Sequence, residues 1–369
     1  EGNNVSALIE AFQKVKDTTK PVVVHINTLK GKGYAPAEQN KEEWHYHAPF
    51  DIKTGQSLVT SDAPDYSSVT CEYLLDKMKK DPKVVAITAG TPTVMGFTKE
   101  KRDLAGSQFV DVGIAEETAA ALASGIAANG GKPVFGVYST FVQRTFDQVS
   151  QDICINNSPA IIVTFQGSVY GMNDVTHLGF QDIPMLSNIP NLVYLAPTTK
   201  EEYLSMLDWS IEQNEHPVAI KLPGKEMISD GKTITNDWSR LNTYEVTEKG
   251  SKVAILGLGT FYGLGEDVCE KLKEAGINAT LINPYYISGL DETLLESLKE
   301  EHSVVVTLED GILDGGFGEK IARFYGSDDV KVLNYGLKKE FLDRYDVAAV
   351  LKANCLTKEP IAEDIQKLL

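Results

Sequence analysis

The chain has 369 residues, which is enough for two or three domains whose cores need no disulfide or metal support. Its hydrophobic and charged fractions of 42% and 24% are ordinary for a globular protein. The formal net charge of −17, with no basic stripe to offset it, argues against sequence-independent nucleic-acid binding and against an anionic membrane surface. A phosphorylated small substrate is not excluded, because a local cluster of Lys or Arg can bind one inside an acidic protein.

The cysteines and the apolar runs indicate a cytoplasmic protein. The four cysteines are far apart and show no C-x-x-C pair or metal-ligand spacing, as expected of reduced thiols: Cys71, Cys154, Cys269 and Cys355. No apolar run approaches the roughly 18 to 20 residues that a membrane span needs.

The sequence starts at Glu1 without an initiator Met or a signal-peptide pattern. We therefore expect a chain that starts inside a larger protein or is one half of a split one.

Residues 1–60 predict only one α/β unit. Apolar residues on one face predict a helix from Val5 to Lys16, and the continuous apolar run at residues 22–27 predicts a buried parallel strand with His25 in the core. Residues 30–55 show little periodicity, and loops of this length are often functional or linking segments. Since one such unit cannot make a domain, we interpret residues 1–60 as the end of an upstream domain, with a linker near residues 61–64.

Residues 61–235 predict a parallel sheet with helices on both faces, because strand and helix patterns alternate there. The predicted strands cover residues 84–89, 109–112, 134–138, 160–165, 192–195 and 218–221, and the predicted helices cover 68–80, 116–128, 141–156 and 200–213. Residues 236–369 predict a smaller α/β domain. Its strands are expected at 252–256, 279–282 and 303–308, and its helices at 263–275, 347–352 and 361–369.

A glycine-rich segment in the last domain invites a dinucleotide-binding interpretation. Gly257-Leu-Gly-Thr-Phe-Tyr-Gly263 follows a strand and opens a helix, but its spacing is G-x-G-x-x-x-G, and residues 278–283 supply no acidic side chain for a ribose. We interpret it as a tight turn between a strand and a helix.

Two carboxylates, Glu116 and Glu117, fall in the first turn of an Ala-rich helix that follows a strand. Open α/β sheets tend to bind ligands at such strand ends. The alternative is that both carboxylates only stabilise the helix dipole.

Further candidates follow the next two predicted strands. Phe141 and Arg144 can stack on and hydrogen-bond a heteroaromatic ligand, although Phe141 can instead be core and Arg144 can pair with Asp147 on the same helix. His177 lies in the polar loop after residues 160–165. Three strand ends with such side chains favour one shared pocket over separate structural roles.

These same segments resemble the pyrimidine-binding domain of thiamine-diphosphate enzymes of the transketolase type, and among them the 1-deoxy-D-xylulose-5-phosphate synthases. The resemblance is carried by Gly113-Ile-Ala-Glu-Glu117, by Tyr138-Ser-Thr-Phe-Val-Gln-Arg-Thr-Phe-Asp-Gln148 and by Thr176-His-Leu-Gly179. A second set of motifs resembles the segment that joins the first two domains of those synthases: Lys30-Gly-Lys-Gly-Tyr-Ala-Pro-Ala-Glu38, Trp44-His45 and Pro49-Phe-Asp51. The resemblance covers nearly the whole chain, and its motifs are specific only in combination.

The resemblance implies site roles that spacing alone does not give. Glu116 would hydrogen-bond the aminopyrimidine of thiamine diphosphate and so activate the cofactor. Phe141 would stack on that ring, and Arg144 and Ile114 would help to hold it. His45 and His177 would transfer protons near the reacting carbons. The substrate-binding positions implied by the resemblance are Tyr138, Asn173, Asp174, Gln166 and Lys221.

The sequence also departs from the family pattern. The Gly-Asp-Gly…Asn segment that binds Mg²⁺ and the diphosphate is absent, so we expect no metal ligand in this chain and assign that segment to upstream sequence or a partner chain. Gln166 and Lys221 stand where the synthases carry arginines, and Asn173 stands where they carry an aspartate. Because neither glutamine nor lysine supplies the bidentate fork of arginine, these two substitutions argue against glyceraldehyde 3-phosphate as the acceptor.

Three functions remain open at this point. The first is a synthase-like condensation of pyruvate with glyceraldehyde 3-phosphate, with decarboxylation, in isoprenoid and thiamine biosynthesis. The second is a transketolase-type transfer of a two-carbon ketol unit from a ketose, including a split form with a partner chain. The third is a non-catalytic assembly subunit. The resemblance implies a homodimer in each case.

Overall fold

The computed structural model describes residues 1–59 and 64–369, and the chain divides into two compact units, residues 1–63 and 64–369. The linker predicted near residues 61–64 and the predicted boundary after residue 60 fall largely outside the described residues. The predicted domain boundary at residue 60 therefore stays a prediction, and so does the one at residue 235, since residues 64–369 form a single compact unit.

The first unit contains the predicted amphipathic helix, α1 (Val5–Val15), and a short helix, α2 (Ala35–Gln39). Helix α1 begins where the Asn4 side chain accepts a hydrogen bond from the Ala7 amide at 3.1 Å. In the aperiodic segment, Trp44 packs against the rings of Tyr34 and Phe50, with centroids 5.0 and 4.8 Å away. This segment therefore has a small aromatic core of its own.

The strand predicted at residues 22–27 is wrong. These residues have no regular secondary structure, Val23 is 93% exposed, and His25 is exposed rather than buried in a core. A strand forms only when a neighbouring strand satisfies its backbone groups, and residues 1–59 contain no strand that pairs with this segment.

The second unit begins with a six-stranded sheet in which every neighbouring pair is parallel. Its strands are β1 (Val84–Thr88), β2 (Phe109–Asp111), β3 (Lys132–Tyr138), β4 (Ile161–Phe165), β5 (Val193–Leu195) and β6 (Val218–Lys221). Their order across the sheet is β2-β1-β3-β4-β6-β5. All six were predicted. Most of them are near-continuous apolar runs typical of strands buried on both faces, whereas β2 was predicted from the short alternating run of a half-buried strand.

Seven helices of the described residues accompany this sheet: α3 (Tyr66–Lys80), α4 (Lys99–Ala105), α5 (Glu116–Ala128), α6 (Ser139–Val142), α7 (Phe146–Gln148), α8 (Asp182–Leu186) and α9 (Lys200–Glu212). The single helix predicted at residues 141–156 is wrong in detail. It is broken into α6, a 3₁₀ turn, α7 and a π-helical segment at Val149–Cys154. Thr145 donates its hydroxyl to the Val142 carbonyl at 2.7 Å, so a side chain competes for a helix carbonyl within the irregular stretch.

The chain ends in a second, mixed sheet of five strands with the order β11-β10-β8-β9-β7, in which only β7 runs antiparallel. Its strands are β7 (Glu245–Glu248), β8 (Lys252–Gly257), β9 (Thr280–Asn283), β10 (His302–Ile312) and β11 (Lys331–Leu337). Its helices are α10 (Tyr262–Glu274), α11 (Glu292–Leu298), α12 (Phe317–Tyr325), α13 (Val347–Ala353) and α14 (Lys358–Leu368). Strands β7 and β11 and helices α11 and α12 were not predicted. No helix among the described residues is long and apolar enough to span a membrane.

The glycine-rich segment between β8 and α10 is the tight turn that the sequence predicts. Gly259 has a φ of +52°, and a Cβ on Gly257 would lie 2.7 Å from the Cα of Tyr262. Gly259 therefore permits the backbone conformation of the turn, and Gly257 permits the close approach of the helix to the strand.

A buried carboxylate in β10 makes stability depend on pH. Glu309 is fully buried and accepts hydrogen bonds from the amides of Phe317 and Gly318, at 2.7 and 2.8 Å, where α12 begins. Burial raises the pKa of Glu309 to about 7, although the two amides oppose the shift. Because the folded state holds this proton more tightly than the unfolded state, the stabilisation is complete below the unfolded pKa of 4.5 and is lost as the pH rises through about 7.

We therefore expect the contribution of Glu309 to the free energy of unfolding to fall by up to about 3 kcal/mol across that range. Glu309→Gln, which cannot ionise, is expected to flatten this slope, and Glu215→Gln at an exposed position is the matched control. Urea unfolding at several pH values measures both. Equal slopes in the wild type and in Glu309→Gln would contradict the prediction.

Candidate active site

The candidate site lies at the carboxyl edge of the first sheet. Since its strands are parallel, the segments that follow β2, β3 and β4 leave the sheet at the same edge. These segments carry the predicted residues Glu116, Phe141 with Arg144, and His177.

Asp111 shapes the turn that leads to Glu116. Its carboxylate accepts hydrogen bonds from the amides of Gly90 and Gly113, at 2.8 and 2.9 Å, and so joins the ends of β1 and β2. Gly113 has a φ of +72°, which lets the chain turn sharply before α5 starts. Sequence reasoning missed Asp111, although a carboxylate at the end of a strand and two residues before a glycine is a signal that could have indicated it.

Glu116 is the buried member of an ion pair. It is 2% exposed, and Arg144 donates to its two carboxylate oxygens at 3.1 and 3.3 Å. The Arg144 side chain is 49% exposed, so its guanidinium group faces both the carboxylate and solvent. In the described part of the chain, the ion pair of Arg144 is with Glu116 and not with Asp147. Glu117 is exposed in the same helical turn, where a carboxylate stabilises the helix dipole.

An aromatic group centred on Phe141 lies beside this ion pair. The Phe141 ring lies 6.0 Å from that of Tyr138 and 5.4 Å from that of His177, in edge-on arrangements, and 5.8 Å from the guanidinium of Arg144. The Thr176 hydroxyl lies 2.9 Å from Nδ1 of His177. The structure thus brings five predicted residues into one group: Tyr138, Phe141, Arg144, Glu116 and His177.

The segment that carries His177 is hydrogen-bonded to the start of α6, directly after β3, by two hydroxyl groups that sequence reasoning missed. Ser139 donates to the Gly179 carbonyl at 2.7 Å, and Thr140 donates to the Thr176 carbonyl at 3.2 Å. A cavity of about 600 Å³ opens beside them, lined in part by Thr140, Thr176 and Gln181. Its volume is within the usual range for small-molecule sites.

The remaining predicted residues occupy different surroundings. Ile114 is 83% exposed on the turn before Glu116. Asn173 donates its side-chain amide to the Tyr345 carbonyl at 3.1 Å, and Asp174 lies 3.8 Å from Arg344, with both side chains largely exposed. His45 belongs to the first unit, where its ring contacts Lys30. The roles of these residues stay predictions.

Lys221 is buried rather than presented to solvent. Its side chain is 6% exposed, and its ammonium donates to Asp182 at 2.6 Å. Asp182 also accepts the hydroxyl of Tyr194 at 2.6 Å. The phosphate-binding role of Lys221 stays a prediction, and in this arrangement its charge is already compensated.

Gln166 has a φ of +60°, an uncommon conformation for a residue with a side chain, and glycines surround it. A Cβ on Gly179 would lie 1.9 Å from the Gln166 carbonyl oxygen, so Gly179→Ala must displace backbone. We expect this substitution to cost about 1–3 kcal/mol in free energy of unfolding. Gly125→Ala in α5 is the control, because a Cβ there meets nothing within 4 Å. Denaturant unfolding measures both, and equal stabilities would refute the steric argument.

No group of three or more His, Cys, Asp or Glu side chains in residues 1–59 and 64–369 is arranged to hold a metal ion. The chemistry that this site presents is that of a buried carboxylate, an arginine, aromatic faces and a histidine.

Comparison with known proteins identifies the family of this chain. The family described as "Transketolase, pyrimidine binding domain" matches residues 62–227, and "Transketolase, C-terminal domain" matches residues 242–361. The chain therefore belongs to the transketolase family, with a parallel-sheet pyrimidine-binding domain followed by a C-terminal domain, and the predicted fold class is confirmed.

Within this family, the whole chain is similar to 1-deoxy-D-xylulose-5-phosphate synthases. It is 37% identical to the synthase of Clostridium beijerinckii and 36% identical to that of Clostridium tetani, and each alignment covers 100% of this chain. The chain spans 59% of the length of these two relatives. Among solved structures, a split-gene transketolase described as an inactive β4 tetramer superposes with a TM-score of 0.69 at 21% identity, covering 82% of this chain and 97% of its own. At that identity the superposition shows the fold alone.

Proposed function

We propose that the protein acts in a thiamine-diphosphate-dependent transferase that condenses pyruvate with an aldose phosphate and releases carbon dioxide. The observation that carries this proposal is the Glu116–Arg144 pair beside Phe141 at the carboxyl edge of the parallel sheet. The similarity over the whole chain to 1-deoxy-D-xylulose-5-phosphate synthases supports the choice of reaction. Glyceraldehyde 3-phosphate is the proposed acceptor.

The side chains of the candidate site fit the pyrimidine ring of the cofactor. A buried carboxylate is suited to a ring nitrogen that carries a proton, and the half-buried face of Phe141 is suited to a planar ring. In this proposal Glu116 bonds that nitrogen, while Phe141, Arg144 and Ile114 hold the ring. When bound, thiamine diphosphate supplies an electron sink for chemistry at a carbonyl carbon. Mg²⁺ is its proposed companion, with ligands from upstream sequence or from a partner chain.

The histidines supply proton transfer. His177 lies next to Phe141, where its imidazole can exchange a proton with a substrate oxygen, and we assign the same task to His45. We assign substrate contacts to Tyr138, Asn173, Asp174, Gln166 and Lys221. Of these, Tyr138 lies in the aromatic group around Phe141.

The proposal includes a homodimer in the cytoplasm. The dimer is implied by the resemblance to the family's enzymes, and the four unpaired cysteines are typical of a protein in a reducing compartment. Because the proposed product is 1-deoxy-D-xylulose 5-phosphate, we assign the protein to isoprenoid and thiamine biosynthesis.

One observation favours a second reaction, the transfer of a two-carbon ketol unit between sugar phosphates. Gln166 and the buried Lys221 stand where the synthases carry arginines, so the acceptor's phosphate loses two bidentate partners. This alternative includes a split enzyme whose partner chain completes the cofactor site.

The two reactions differ in their first product. Full-length protein with thiamine diphosphate and Mg²⁺ is expected to release carbon dioxide from pyruvate, with glyceraldehyde 3-phosphate as acceptor. Ketol transfer from a ketose phosphate without carbon dioxide release would replace the proposal by the alternative. If neither reaction occurs in the presence of bound cofactor, the chain is better described as a non-catalytic subunit.

A further inference from the structure

The loop between β4 and α8, residues 166–181, carries His177, and it is shared between the two sheets of the second unit. Its apolar side chains do not join the core of the first sheet. Val169, Leu178 and Phe180 are buried in the hydrophobic cluster formed with the second sheet and its helices, together with Val306 and Ile312 of β10.

Asp310 of β10 makes the central polar contacts to this loop. Its side chain is almost fully buried, at 1% residue exposure. One carboxylate oxygen accepts the Ser168 hydroxyl at 2.7 Å, and the other accepts the Val169 amide at 2.8 Å. Ser168 and Val169 are themselves fully buried, so these bonds have no competition from water. Burial raises the pKa of Asp310, while the charge of Lys221 and the two hydrogen bonds act in the opposite direction.

The segment before α13 contacts the same loop at Val169 and again at Asn173 and Val175. Tyr345 donates its hydroxyl to the Val169 carbonyl at 2.8 Å, and its own carbonyl accepts the side-chain amide of Asn173 at 3.1 Å. The Arg344 amide donates to the Asn173 carbonyl at 2.7 Å, and Asp343 accepts the Val175 amide at 3.2 Å. The contacts at Asn173 and Val175 lie within four residues of His177 along the chain.

We propose that the second sheet is part of the active site, because Asp310, supported by Tyr345, positions the loop that brings His177 to Phe141. Asp310 acts through the loop and is a positioning residue. The catalytic importance of the loop rests on the proposed function, but the positioning itself does not.

The experiment is hydrogen–deuterium exchange on the full-length protein, followed by peptides that cover residues 166–181. Asp310→Ala removes both acceptors, and exchange in this loop is expected to become about 10- to 100-fold faster. Asp310→Asn is expected to restore slow exchange, because its oxygen can accept the Val169 amide and its amide can donate to the Ser168 hydroxyl.

Glu309→Ala is the matched control. Glu309 is the neighbouring buried carboxylate of β10, but its partners are the amides at the start of α12. It is expected to accelerate exchange around residues 317–320 and to leave the loop unchanged. The proposal is overturned if Asp310→Ala leaves loop exchange at the wild-type rate, or if Glu309→Ala accelerates the loop equally.

Two further measurements keep the outcome decisive. If Asp310→Ala does not fold, Tyr345→Phe tests the same loop by removing a single hydroxyl, and loop exchange at the wild-type rate in that variant overturns the proposal. In turnover assays, Asp310→Ala is expected to lower kcat more than it raises KM, and Asp310→Asn to recover much of the loss. Faster loop exchange in Asp310→Ala, in a protein whose wild type shows no thiamine-dependent turnover, would refute the proposed function and leave the positioning intact.

Discussion

Glu116→Ala in the full-length protein is expected to lower thiamine-dependent turnover by about 10²- to 10⁴-fold, the range typical of a lost proton-transfer partner. The substitution removes the only carboxylate that Arg144 is seen to pair with in the described residues. Because the Arg144 side chain is 49% exposed, water can solvate the freed guanidinium, and no buried charge is left unpaired. The loss of activity should therefore occur in a folded protein, as monitored by thermal unfolding beside steady-state kinetics.

Glu117→Ala is the matched control for this substitution. The two glutamates are adjacent in the first turn of α5, but Glu117 is exposed where Glu116 is buried. We expect Glu117→Ala to cost no more than about 1 kcal/mol through the helix dipole and to leave turnover close to the wild-type value. Undiminished turnover in Glu116→Ala, or an equal loss in both variants, would remove the site assignment.

Lys221→Met is expected to lower the free energy of unfolding by about 3–5 kcal/mol, because it leaves a buried carboxylate without its counter-charge. The Asp182 side chain is 0% exposed, and its remaining side-chain partner, the Tyr194 hydroxyl, carries no charge. Denaturant unfolding measures the loss. Adding Asp182→Asn is expected to recover part of it, since a neutral amide needs no counter-charge.

Lys232→Met provides the comparison at an exposed pair. Lys232 lies 2.9 Å from Asp230, but its side chain is 78% exposed, and such pairs contribute about 1 kcal/mol or less. If Lys221→Met proves as mild as Lys232→Met, the pair with Asp182 is not a structural element. A normal stability together with a raised KM for the phosphorylated acceptor would then favour the substrate role predicted from the resemblance.

Local patterns were sufficient for most of the fold. Buried parallel strands such as β4 are continuous apolar runs, and helices such as α9 carry their own capping residue in Thr199. Both kinds of element can therefore be predicted from a short stretch of sequence. The wrong predictions occurred where local pattern and context disagree. Residues 22–27 have the composition of a strand but no partner, and residues 141–156 have the composition of one helix but are broken beside the site.

The candidate site was predictable to the extent that its residues follow strand ends. Glu116, Arg144 and His177 could be grouped from the sequence, because parallel strands end at one edge of a sheet. Asp310 could not be linked to Ser168, since the two are 142 positions apart in sequence, and Ser168 follows β4 of the first sheet whereas Asp310 lies in β10 of the second. The exposure of Ile114 and the burial of Lys221 were equally hidden, because exposure depends on neighbours that are distant in sequence.

Residue type and short-range periodicity were thus enough to predict the class of fold, the edge of the sheet that carries the candidate site and the kinds of side chain there. Which of those side chains meet became visible only in three dimensions. The tertiary structure paired Glu116 with Arg144, enclosed Lys221 with Asp182, and held the His177 loop against the second sheet. Such pairings depend on long-range packing, in which burial removes water and leaves each polar group dependent on a partner that no local pattern specifies.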